Sequence, residues 1–181
     1  MPVPTLQKFA RIMTEEMFDV VNQEDRVLFQ SPRSVVHANH WLHRAVHIFV
    51  FNSKGELLIH RRSANKDEAP LKCTSSASGH LSAGEDYATA AVRELEEELG
   101  LRAEVEFLGI FPANGIETAF EHSGLYRAVT DQTPTFDPGE ILSGEFRPLT
   151  DIAEMIERDP DDFTHCFRSL FRWYNERFAL A

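Results

Sequence analysis

The stretch that decides the fold runs from Gly79 to Leu101 and reads GHLSAGEDYATAAVRELEEELGL. Glu94, Glu97 and Glu98 stand at i, i+3 and i+4, so on an α-helix the three carboxylates share one face. Ala88, Ala91, Val92, Leu95 and Leu99 fall on the opposite face and are expected to bury it. The spacing predicts a helix from Tyr87 to Leu99, ended by Gly100 as a C-terminal cap. As an ordinary solvated face, the three like charges would cost roughly a few tenths of a kcal/mol per pair. A divalent cation removes that repulsion. Carboxylate oxygens are hard ligands, which points to Mg²⁺, with Mn²⁺ as the alternative, rather than Zn²⁺. Mg²⁺ commonly bridges protein carboxylates to substrate phosphates, so the chemistry implied is metal-assisted attack of water on phosphorus.

The rest of the chain sets bounds on that reading. Its 181 residues suit one domain, expected over 17–181 behind an N-terminal arm at 1–16. A formal net charge of −11 gives no broad attraction for extended nucleic acid or an anionic membrane, while leaving room for a local basic pocket. No apolar run reaches the length of a membrane span, and the first residues lack the apolar core of a secretory signal. The cytoplasm is therefore the expected compartment, with Cys73 and Cys166 as buried or idle thiols rather than a disulfide.

Along the chain, Met17–Val21 and Arg26–Gln30 read as a hairpin, followed by a helix over Pro32–Ala38 with Ser31 as its N-cap. Arg44–Phe51 is rich in β-branched and aromatic residues and reads as a strand, with Glu56–Arg61 returning beside it after the turn Asn52–Gly55. Thr74–Ala77, Ala103–Ile110, Gly124–Thr130 and Ile141–Pro148 read as further strands. A helix starts at Thr150 and ends near Asp159-Pro160. The spacing of Phe163, Phe167, Leu170, Phe171 and Tyr174 predicts a last amphipathic helix docked on the core. Hairpins mixed with helices, without regular βαβ repeats, give an α+β layer arrangement.

The box from Gly79 to Leu101, with Glu85, Arg93-Glu94-Leu95 and Glu97-Glu98 at their places, resembles the Nudix box at every defined position. The resemblance implies an α/β/α sandwich around a mixed sheet, with the box as loop–helix–loop, and hydrolysis of a diphosphate linked to another moiety. Outside the box, MFDVVNQEDRV, WLHRAVHIFVF, the pair Arg61-Arg62 with Lys66, and Ser78-Gly79-His80 are similar to the branch related to isopentenyl-diphosphate isomerase. That isomerase carries a cysteine, used as acid and base at carbon, where this chain has Ser78. It also departs from the REL-E-EE pattern that this chain keeps. A serine hydroxyl is a far weaker acid than a thiol, so both departures point to hydrolysis.

Glu97 and Glu98, helped by Glu94 and the Gly79 carbonyl, are expected to hold Mg²⁺. Glu94 is the first candidate for general base, and Arg93 is expected to orient the carboxylates through charge-assisted hydrogen bonds. Glu85, near the helix start, is read as structural or as a supporting ligand. The resemblance adds Glu121 as an acidic catalytic residue from outside the box, with Glu117 second. It also implies that Arg62 and Lys66 contact the substrate phosphates and that His80 binds substrate or metal. His37, His40, His43 and His47 straddle a helix end and a strand, so a shared face is not expected of them. The partner implied is a small-molecule diphosphate, and a homodimer is a family-level expectation. An isomerase and a non-catalytic nucleotide sensor stand as alternatives. The organic moiety is left to the loops at 63–76 and 111–123.

Overall fold

The computed structural model describes residues 15–115 and 119–178. Most of the expected arm, and Glu117, therefore lie outside the described residues. The elements run β1 (Met17–Val21), β2 (Val27–Pro32), α1 (Arg33–Ala38), β3 (His43–Phe51), β4 (Leu57–Arg62), β5 (Cys73–Thr74) and β6 (Ala77–His80). They continue with α2 (Tyr87–Leu99), β7 (Val105–Phe111), β8 (Glu121–Val129), β9 (Ile141–Arg147), α3 (Leu149–Arg158) and α4 (His165–Phe178).

β3 is the spine. It is buried on both faces, which is why its sequence is almost continuously apolar. Val46, Ile48 and Val50 point into a core shared with Ala91, Leu95 and Leu99 of α2. Phe49 and Phe51 point the other way, into a core with Ile152 of α3 and Phe167, Leu170 and Tyr174 of α4. The result is the α/β/α sandwich expected. The sheet is mixed: β8 lies parallel to β3 over nine residue pairs, from His43–Glu121 to Phe51–Val129, and the other pairings are antiparallel.

The β3–β4 hairpin holds at only one pair, Phe51–Leu57, and then splays. β6 takes the freed edge of β3 and β5 takes that of β4, while β9 pairs along the other edge of β4. Ser76 closes the seam. Its Oγ donates to the Leu58 carbonyl at 2.6 Å and accepts the Val50 N–H at 2.8 Å, so both strands are satisfied by one buried hydroxyl. This is why the strand expected at Thr74–Ala77 is instead two short strands on either side of Ser75-Ser76.

Two local expectations are corrected. Ser31 does not cap α1, because it is still paired with Phe18 in the β1–β2 hairpin. The first donors of α1 go to the Glu16 carbonyl and the Glu15 carboxylate instead. In α2, Val92 is about half exposed and Ala88 is exposed, whereas Glu94 and Glu98 are buried with Leu95 and Leu99. The acidic and apolar faces are thus not opposite. Two of the three carboxylates share the face that packs on the sheet.

Candidate active site

Helix α2 is fixed at both ends. Asp86 accepts the Thr89 N–H at 2.8 Å, and Gly100 adopts φ 63° so that its N–H reaches the Glu96 carbonyl. The loop before it is tied to the N-terminal hairpin: Ala83 N–H donates to the Met17 carbonyl and Gly84 N–H to Asp19 Oδ2. These restraints aim Glu94 and Glu98 at the β6 end of the sheet. Glu94 packs so closely on Gly79 that a Cβ there would lie 1.9 Å from Oε1. Glu98 accepts the Ser78 N–H at 3.1 Å.

Arg93 gathers the acidic groups. It donates to both oxygens of Glu85, to Glu94 at 2.7 Å, to Glu97 at 3.1 Å and to the His80 carbonyl. Burial pushes the Glu85 carboxyl up, but its bonds to Arg93 and to the Ser82 N–H outweigh this and hold it below the usual value. The opposite holds deeper in. Burial pushes Glu98 up to about 8, with the Glu94 charge adding to it, and burial raises Glu94 against the pull of Arg93. Two buried carboxylates that resist ionising together form a donor set that a hard divalent cation suits. Glu97 is mostly exposed.

Gly79, Glu94, Glu97, Glu98, Arg62, Lys66, His80 and Glu121 all line one cavity of about 870 Å³. Lys66 is paired with Glu140, and Arg62 donates twice to the Glu68 carbonyl, at 3.2 and 3.0 Å. A phosphate contacting either cation would compete with these bonds.

The histidines give a correction. His37 of α1, His43 of β3 and His80 of β6 do converge, with ring centroids 5.0–5.1 Å apart and donor atoms within 4.8 Å of one another. Glu121 joins them, 2.8 Å from His80 Nε2 and 3.5 Å from His43 Nε2. His43 Nδ1 donates to the Trp41 carbonyl at 2.9 Å, which turns Nε2 toward Glu121; burial pushes this imidazole down, but Glu121 outweighs it and raises it above the usual value. The Nε2 atom of His37 is buried without a hydrogen-bond partner. Three imidazoles beside a carboxylate, one with an unpartnered nitrogen, fit a transition-metal ion. Burial pushes Glu121 up, but His80 and His43 outweigh it and hold it well below the usual carboxylate value. His40 instead packs on Phe120. His47 sits on the same face of β3 as His43, and its Nε2 lies 3.2 Å from Cys166 Sγ. Cys166 is a free, half-buried thiol that lines the cavity, whereas Cys73 is free and buried. The histidine spacing and the resemblance that singled out His80 and Glu121 were the signals for this cluster, and the pairing of β3 with β6 and β8 is what joins them.

Residues 41–169 match the family model described as NUDIX domain. The chain is 31% identical over 164 residues to an isopentenyl-diphosphate Delta-isomerase of Serratia proteamaculans, covering 87% of this chain and 90% of that one. It is 45% identical over 148 residues to an uncharacterized Nudix hydrolase of Nostoc sp., covering 79% and 86%. The crystal structure of DR0079 from Deinococcus radiodurans superposes with a TM-score of 0.78 at 30% identity, covering 87% of this chain and 98% of that one. With the family model matched over most of its length and relatives of 31–45% identity covering most of it, this chain belongs to the Nudix family.

Proposed function

We propose that this chain is a Nudix hydrolase that cleaves the P–O–P bond of a small diphosphate linked to an organic group, with Mg²⁺ or, in its place, Mn²⁺. The observation that carries the reading is the buried pair Glu94 and Glu98, set against Gly79 at the cavity wall. Glu94, Glu97, Glu98 and the Gly79 carbonyl would hold the cation. When bound, it supplies charge neutralisation at the phosphate and acidifies the attacking water. Glu94, raised above the usual carboxylate value by burial, is the stronger base and accepts the water's proton. Glu121, held ionised by two imidazoles, is a weaker base and supports the site electrostatically. Arg93 keeps Glu94 and Glu97 in place, and Arg62 and Lys66 exchange their internal partners for phosphate oxygens. The test is Mg²⁺-dependent phosphate release from a panel of organic diphosphates by the wild type and by Glu98→Gln. Loss of at least about 100-fold in kcat is expected, and full activity in the variant would overturn the metal assignment.

The cluster of His37, His43, His80 and Glu121, with the isomerase among the relatives, supports a second reading: carbon–carbon double-bond isomerisation. Ser78 weighs against it. Incubation with isopentenyl diphosphate separates the two. Orthophosphate or pyrophosphate release supports hydrolysis, and an allylic isomer supports isomerisation.

A further inference from the structure

The cavity wall holds a cysteine–histidine pair that the hydrolytic reading does not use. Thr164 Oγ1 accepts the Phe167 N–H and its carbonyl accepts the Arg168 N–H, so Thr164 caps α4 and Cys166 lies in the first helical turn. The partial positive charge at a helix N-terminus favours a thiolate there. Cys166 Sγ is 3.2 Å from His47 Nε2. His47 Nδ1 is 2.9 Å from Ser75 Oγ, and Ser75 Oγ donates to the Ala77 carbonyl at 3.4 Å. A hydroxyl that spends its proton on Ala77 can only accept from His47. Nδ1 therefore carries the imidazole proton, Nε2 keeps its lone pair, and the thiol donates to it. Burial pushes this imidazole down to about 4, so no thiolate–imidazolium pair stands at rest and the proton passes to Nε2 only as sulfur attacks. The arrangement is a nucleophile, a base and an orienting group in series. Cys166 and His47 both line the 870 Å³ cavity. Cys73 shows the contrast: it is 5% exposed, burial pushes its thiol up to about 11, and its sulfur faces the Asp162 carboxylate.

We propose that Cys166 is a nucleophilic modification site on the cavity wall, with His47 as its base and Ser75 as the positioning residue, suited to α,β-unsaturated carbonyl compounds. Sulfur attacks the β-carbon as its proton passes to His47 Nε2. The C=C π pair moves toward the carbonyl as an enolate, and the proton returns from His47 to the α-carbon. One S–C and one C–H bond form, nothing leaves, and no oxidant is required. The adduct occupies space that a diphosphate ligand would use. That consequence rests on the hydrolytic reading; the thiol chemistry does not.

The test is limited labelling of the native full chain with N-ethylmaleimide near neutral pH, read by peptide mass spectrometry. The expected result is a single adduct on Cys166, formed at least about tenfold faster than on the same cysteine in urea-unfolded chain. His47→Gln and Ser75→Ala are each expected to slow it by about tenfold or more, with circular dichroism reporting the fold. If His47→Gln does not fold, Ser75→Ala decides. Equal rates in native and unfolded protein, or an unchanged rate in the folded variants, would overturn the proposal. Inorganic pyrophosphate with Mg²⁺ is expected to protect Cys166. Rapid, His47-dependent labelling without such protection and without hydrolysis would keep the thiol assignment and remove the hydrolytic one.

Discussion

At the scale of single residues, the site is organised by what is missing at Gly79 and by what is buried at Glu98. A methyl group at position 79 would lie 1.9 Å from Glu94 Oε1, and Arg93 restrains that carboxylate from moving aside. Gly79→Ala is therefore expected to displace Glu94 and lower kcat by about 100-fold, the scale at which an ångström of misplacement is felt. Steady-state kinetics beside an unchanged far-ultraviolet spectrum would check it. Glu98 makes a prediction of opposite sign for stability. Its carboxyl titrates near 8 when folded and near the ordinary 4.5 when unfolded. With the folded value raised, its contribution is fully present below 4.5 and is lost as pH rises through 8. At pH 7 without metal, folding must take up a proton at this group, which costs about 3 kcal/mol. Metal-free Glu98→Gln is thus expected to be more stable than the wild type at pH 7, with the difference fading toward pH 4.5. Urea midpoints at the two pH values measure it, and a variant less stable at pH 7 would contradict the buried-carboxyl reading.

Elements differ in how far their sequence reveals them. Helix α2 was legible to its last residue because its determinants are local: Gly100 caps it, and Ala91, Leu95 and Leu99 repeat at helical spacing. Which face Glu94 and Glu98 share with the core was not, since it depends on how the helix sits on β6. The histidine cluster draws on α1, β3, β6 and Glu121 at the start of β8. Only the antiparallel register of β3 with β6 and its parallel register with β8 bring them together. No window of sequence contains that information. The same holds for Cys166 and His47, which are 119 positions apart. Helix α4 is the docked amphipathic element its aromatic spacing predicts, though it begins at His165 rather than Phe163, because Phe163 bridges to Cys73 instead. Its central contact is Phe167, fully buried against Phe49, Phe163 and Phe171. Phe167→Ala is expected to cost about 3–5 kcal/mol. Because α4 carries Cys166 over β3, it should also abolish the fast maleimide reaction if the loosened helix drifts from His47. Chemical denaturation and labelling on one sample report both.

At the scale of the whole molecule, two buried histidines held neutral and two buried carboxyls that resist ionisation oppose each other as pH changes. His47 and His60 are pushed down by burial to about 4, and His60 Nδ1–H donates to the Ser76 carbonyl. In the unfolded chain both titrate near 6.5. Above that pH neither state binds the proton, so their stabilising effect is complete. As pH falls, the unfolded chain takes up protons that the native core refuses, and stability is lost until the native values near 4 are reached. Each histidine can remove up to about 3 kcal/mol over that window. Glu98 and Glu94 act against this, because their raised values make acidification favourable to the native state. Wild-type stability should therefore fall less steeply between pH 6.5 and 4.5 than that of Glu98→Gln, from which the larger compensating group is removed. Adding His60→Gln to that background keeps a donor for the Ser76 carbonyl and removes one titrating group, so the slope should fall by about one proton. Urea midpoints at half-unit pH steps give the slopes directly. If the double variant keeps the slope of Glu98→Gln, His60 is not held neutral in the core and the balance between the two pairs does not set the acid limit of the fold.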